Sequence, residues 1–112
     1  MDIKPGDVVL CEFYFSGFQK SKRRPVVVLK DNLPFDDFVG IPISSKIEKL
    51  NSDESLLESS DIREGTLPKT SKVMVRKTFV ISKAVVQKKY GELTESRFEQ
   101  LHGDFCRYFG CC

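Results

Sequence analysis

The sequence predicts a mainly β protein of the α+β kind, a small closed barrel with one carboxy-terminal helix. Three observations lead there. Short segments of alternating or β-branched residues recur with turn residues between them. No helical pattern separates one strand from the next, as a βαβ layout would require. Helical spacing appears only at the end, where Phe98, Leu101, Phe105 and Phe109 recur. With 112 residues the chain fits one domain, 1–112, long enough to bury a core and too short for a second.

The first strand follows Pro5 and Gly6, with Val9, Cys11, Phe13 and Phe15 on one side and Val8, Leu10, Glu12 and Tyr14 on the other. Ser16 to Arg24 is polar and reads as a loop. Pro25 then opens a second strand, Val26 to Leu29, at the position where a missing N–H costs least. "DNLP" reads as a turn, and Phe38 to Ser44, broken by Gly40 and Pro42, as a bent or edge strand. Lys46 to Lys72 is mostly loop, with one short strand at Ser55 to Leu57. Further strands are expected at Val73 to Val75, Thr78 to Ile81 and Ala84 to Gln87, and a turn at Gly91. Thr94 is a good N-cap and Glu95 complements the helix dipole, so a helix is expected over about 94–109; Gly103 weakens its last turns by about 1 kcal/mol relative to alanine.

Composition narrows the function classes. The net charge of +2 is too small for a general nucleic-acid coat, so any electrostatic role must be local. No stretch approaches the roughly 20 apolar residues of a membrane span, and "MDIKPGDVVL" lacks the basic leader and long apolar run of a signal peptide. The expected location is the cytoplasm. Of the four cysteines, Cys11 sits in an apolar strand pattern and reads as a small buried hydrophobe. Cys106, Cys111 and Cys112 crowd the end near His102, but adjacent cysteines point apart and no second ligand pair is present, so a reduced tail is expected rather than a metal site. His102 itself reads as surface or packing.

The single histidine, and the absence of a Gly-rich phosphate loop or a paired zinc motif, remove most familiar enzyme classes. What remains is "QKSKRRP", whose Lys20, Lys22, Arg23 and Arg24 concentrate positive charge suited to phosphate or to an acidic partner. A solvated turn explains the same charges.

Four blocks in order carry a resemblance. These are "KPGDVVLCEFYF" with "KSKRRPVVVL", then "VGIPISSK", then "LPKTSKVMVRKTFVISKAVV", then "GELTESRFEQL". Together they resemble the PemK/MazF toxins, ribonucleases of toxin–antitoxin pairs. The resemblance implies an SH3-like barrel of the CcdB/MazF/PemK type with a terminal helix. It also implies cleavage of single-stranded RNA without a cofactor or metal, to 2′,3′-cyclic phosphate and 5′-hydroxyl ends. The implied partners are an antitoxin that binds over the RNA groove and a second copy in a homodimer. The family's arginine of the Arg-Pro pair and hydroxyl residue after the proline match Arg24 and Ser44. A guanidinium stabilises charge on a phosphoryl group and makes a poor base, so Arg24 is expected to act electrostatically, with proton donation to the leaving 5′-oxygen as an additional role, and Ser44 to hold the phosphate or the 2′-OH.

Two departures stand out. Arg76 occupies a place where many members carry an acid, and the hydroxyl residue is serine where threonine is common. Glu12 is the nearest acid on the first strand and a candidate partner, although a rim charge paired with a lysine or arginine accounts for it equally. Phe18, Lys20 and Lys22, with Arg23, are candidates for stacking bases and neutralising backbone, while Phe15 is expected in the core. The rival readings are a non-catalytic module of the same fold that holds RNA or protein, with Arg76 as its hint, and a toxin directed at DNA gyrase.

Overall fold

The computed structural model describes residues 2–15 and 20–111. Among the described residues are eight strands and one long helix: β1 (Asp7–Phe15), β2 (Lys20–Leu33), β3 (Asp37–Ser44), β4 (Glu54–Leu57), β5 (Ile62–Gly65), β6 (Ser71–Met74), β7 (Phe79–Ser82), β8 (Val86–Leu93) and α1 (Glu95–Phe109). The sheet runs β4-β6-β3-β2-β1-β8-β5, with β7 also on β3, and the pairings are antiparallel. The expected small barrel is present as a strongly curled sheet whose ladder ends at β4 and β5. Among the described residues no helix is long and apolar enough to cross a membrane.

Alternation along β1 and β2 explains why the sheet buries both faces. Val8 and Val27 join Ile41, Ile43, Val73 and Leu101 of α1 in one cluster. Val9, Cys11, Val26 and Val28 point the other way and pack with Phe38 and Ile81. Side chains one residue apart in a strand serve opposite faces, so these continuous apolar runs belong to strands covered on both sides. Cys11 is buried in the second cluster, and burial pushes its thiol up to about 11.

Several expectations need correction. The polar stretch read as loop to Arg24 is strand from Lys20 onward, paired Phe15↔Lys20 through Cys11↔Arg24. Its side chains are exposed and leave no apolar alternation, while the backbone ladder with β1 holds them extended. β2 also extends past the expected turn at "DNLP", and the chain reverses at Pro34–Asp36. β3 is bent, not an edge: Asp37–Gly40 pair with β7 and Ile43–Ser44 with β6. Pro42, lacking an N–H, falls where the strand changes partners on that side. β5 was not anticipated, because Ile62 is its one apolar residue. Gly91 is no turn but lies within β8, where a Cβ would come within 2.2 Å of the Glu64 carbonyl oxygen on β5. The crossing demands glycine for space.

The helix is as read. Thr94 Oγ1 accepts from the Arg97 amide at 3.2 Å, and Gly110 closes the end at φ 69°. Gly103 does not interrupt it. Buried Arg97 fastens α1 to β4, donating to Ser55 Oγ at 2.8 Å and the Leu56 carbonyl at 2.9 Å. His102 is exposed and lies against the Phe98 ring.

Candidate functional site

β2 and β3 pair with Val26 opposite Pro42, and continuing that register by two residues sets Arg24 opposite Ser44. Opposed residues of an antiparallel pair share a face, and the two side chains line the same space. Two cavities meet there, one of about 640 Å³ and one of about 270 Å³, and both are lined by Arg24, Ile43, Ser44 and Lys46. The larger continues over Phe13, Tyr14, Met74, Lys77 and Phe79. The smaller continues over Arg23, Leu67, Pro68, Lys69 and Tyr90. Neither lining contains an Asp or Glu among the described residues.

This charge distribution answers what the net charge left open. Arg23, Arg24, Lys46, Lys69 and Lys77 focus positive potential on one groove of a nearly neutral protein, the arrangement that concentrates a polyanion. A third cavity, of about 430 Å³, lies between 52–55 and the outer face of α1. Its Asp53, Glu54 and Asp104 beside one Arg107 make it a poor host for phosphate.

Ser44 is half-buried, and its Oγ accepts from the Lys46 backbone N–H at 3.1 Å. That turn leaves the hydroxyl hydrogen available to donate outward. Arg24 is exposed at the opening of the groove. A hydroxyl donor and a guanidinium fork thus face one space, fixed to neighbouring strands rather than to loops, which favours constant geometry.

The remaining candidates divide. Arg23 lines the smaller cavity, and its Nε lies 3.3 Å from Glu12 Oε2. Glu12 lines neither cavity; the Tyr14 hydroxyl, at 3.0 Å, and then Arg23 hold its carboxyl below the usual range. It is the paired rim charge rather than a groove acid. Tyr14 in turn is pushed up by Glu12. Lys20 and Lys22 are exposed on the outer half of β2 and line neither cavity. Phe18 lies outside the described residues, as does the Phe15 side chain. Arg76 sits in the short turn after β6, its N–H donating to Asp53 Oδ2 at 3.0 Å, and is not part of either lining. Its neighbour Lys77 is.

Sequence reading missed Lys46, Lys69, Lys77 and the aromatic wall. Lys46 follows Ser44 by two residues and was within reach of the motif. Phe13 and Phe79 fall in segments expected to be strands, with no further role assigned; their rings stand 5.7 Å apart, with Phe79 38% exposed.

Residues 4–109 match the model of the PemK-like, MazF-like toxins of type II toxin–antitoxin systems. The chain belongs to this family. All four sequence blocks that resembled PemK/MazF fall within the matched span. Among solved structures, MazE–MazF from Deinococcus radiodurans superposes with TM-score 0.80 at 16% identity, covering 98% of each chain. An endoribonuclease in complex with its cognate antitoxin, from a mycobacterial species, gives TM-score 0.74 at 16% identity over 99% of this chain and 98% of that one. The Mycobacterium tuberculosis toxin MazF-mt6 gives 0.69 at 19% identity over 93% and 96%. Likeness at this level of identity speaks for the PemK/MazF fold. No curated protein matches the sequence.

Proposed function

We propose that this PemK/MazF protein is an endoribonuclease toxin that cleaves single-stranded RNA without a metal, leaving 2′,3′-cyclic phosphate and 5′-hydroxyl ends. The observation that carries the reading is that Arg24 and Ser44 both line each of the two cation-lined cavities. A phosphodiester seated on that ridge has room for a nucleotide on either side. Its own 2′-OH is the nucleophile, so the protein need not supply one, and charge builds on the phosphoryl oxygens as the 2′-oxygen attacks. Arg24, which as a guanidinium stays protonated, donates to those oxygens. Ser44, its oxygen already engaged by the Lys46 amide, donates its hydrogen to the same phosphate. The groove's lysine and arginine side chains and these fixed donors neutralise the developing charge, and no step of this scheme calls for a metal ion. Phe13, Tyr14 and Phe79 offer apolar ring surface to an unstacked base, as single strands require.

The proposal extends to a cytoplasmic homodimer silenced by a protein antitoxin. Supporting the antitoxin are the solved neighbours, one described as bound to its cognate antitoxin and another as MazE–MazF. A groove rich in cations also suits an acidic polypeptide segment. The test is to incubate the protein with a long RNA in excess chelator and map the ends. Defined cuts with cyclic phosphate at one side and 5′-hydroxyl at the other support the reading. Tight binding with no cuts sinks it in favour of a non-catalytic module.

A further inference from the structure

Within the proposed cleavage the 5′-oxygen leaves as an alkoxide and must be protonated, a step for which Arg24 is one candidate donor. The groove holds no histidine and, among the described residues, no carboxyl group. Its proton carriers are therefore guanidinium, ammonium and phenol groups. Of these, guanidinium is the weakest acid by about two pH units or more. An ammonium or phenol is the better donor to an alkoxide.

Position selects among them. Lys69 and Tyr90 line the smaller cavity alone, and Tyr14 and Lys77 the larger alone. Lys46 lines both, as do Arg24 and Ser44. Its backbone N–H bonds Ser44 Oγ at 3.1 Å, which ties the base of its side chain to the residue that holds the phosphate. Its flexible four-carbon stem carries three donors and can turn toward either cavity. We propose, resting on the endoribonuclease reading, that Lys46 is the catalytic acid that protonates the leaving 5′-oxygen. The substrate's 2′-oxygen forms its bond to phosphorus and gives its own proton to water. The P–O5′ bond breaks, its electron pair stays on O5′, and Lys46 Nζ delivers a proton there. The neutral amine then regains a proton from water.

The experiment uses two oligonucleotides of one cleavable sequence under single-turnover conditions. One has the natural 5′-oxygen at the scissile bond. The other has sulfur there, and a thiolate leaves without a proton. Lys46→Met is expected to cleave the oxygen substrate about 100-fold or more slowly than the wild type, the span typical of a lost general acid. The same variant is expected to cleave the sulfur substrate at close to the wild-type rate. Lys46→Arg keeps the charge but donates less readily, so it too is slow on oxygen and restored by sulfur. Arg24→Ala stays slow on both. A Lys46→Met defect of equal size on both substrates assigns Lys46 to phosphate binding and overturns the inference, as does wild-type behaviour on both. A wild-type protein that cuts neither substrate overturns the endoribonuclease reading, and the inference with it.

Discussion

Removing the Lys72 charge tests how the groove is held in shape. Lys72 lies opposite Ser44 in the β3–β6 register. Its Nζ bonds Glu54 Oε1 at 2.8 Å and the Lys49 carbonyl at 3.0 Å, which fastens the segment after Ser44 to β4 and β6. Both side chains are covered, Glu54 to 2% exposure and Lys72 to 11%. Lys72→Met keeps most of the stem but strands a buried carboxylate and a carbonyl. Breaking one side of such a pair costs about 3 kcal/mol. In a chain of this size that lowers Tm by roughly 10–15 °C and the urea midpoint by about 1–2 M. Adding Glu54→Gln removes the stranded charge, and the double variant is expected to regain half the loss or more. The effect depends on pH with a definite sign. Burial pushes the Glu54 carboxyl up, but the Asn51 amide and Lys72 together outweigh it and hold the group below its ordinary value. A carboxyl lowered by folding stabilises the protein above its unfolded value of about 4.3 and loses that contribution as pH falls through the folded value. The gap between wild type and Lys72→Met therefore closes below about pH 4.3. Urea titration of the three proteins at neutral and acid pH reads this directly. A single variant within about 0.5 kcal/mol of wild type, or a double variant no better than the single, refutes the reasoning.

Other outcomes follow from particular residues. Gly91→Ala drives a methyl group into the Glu64 carbonyl and is expected to cost about 2 kcal/mol or more by thermal melting, with β5 released first in amide exchange. In a thiol-reagent assay at pH 8, exposed Cys111 reacts at once, whereas Cys11, buried and pushed up to about 11, reacts only on unfolding. Phe79→Ala removes ring surface from the larger cavity and is expected to weaken single-stranded RNA binding by about 5- to 100-fold, as lost base stacking does.

Much of this architecture was readable because burial patterns were strong where they mattered. Val8 to Cys11 and Val26 to Leu29 are buried on both faces and so read as apolar runs, and Thr94 with Phe98 and Leu101 marked the helix. Lys20 to Arg24 escaped, since an exposed half-strand is held by backbone bonds that no side chain reports. Gly91 misled for the opposite reason: the same lack of a Cβ that permits a turn also permits a close crossing. At the site, Arg24 and Ser44 could be named from motifs, and the fold places both in the lining of the same two cavities. Lys69, Lys77 and Phe79 lie 25 or more positions from Ser44 in the chain, and only the curl of β3 between β6 and β7 brings them to the groove. Arg76, whose place in the motif promised a role, turned out to sit one residue away from the lining side chain, Lys77.

The most direct test of the central claim is single-turnover cleavage of one mapped RNA by the wild type and by Arg24→Ala, in chelator, with far-ultraviolet dichroism and melting recorded on the same samples. Arg24 is exposed, so the variant should melt like the wild type. Loss of a transition-state donor of this kind lowers the rate by about 100- to 1,000-fold, and that is the predicted result. An Arg24→Ala protein that folds normally and cuts the RNA at the wild-type rate contradicts the account.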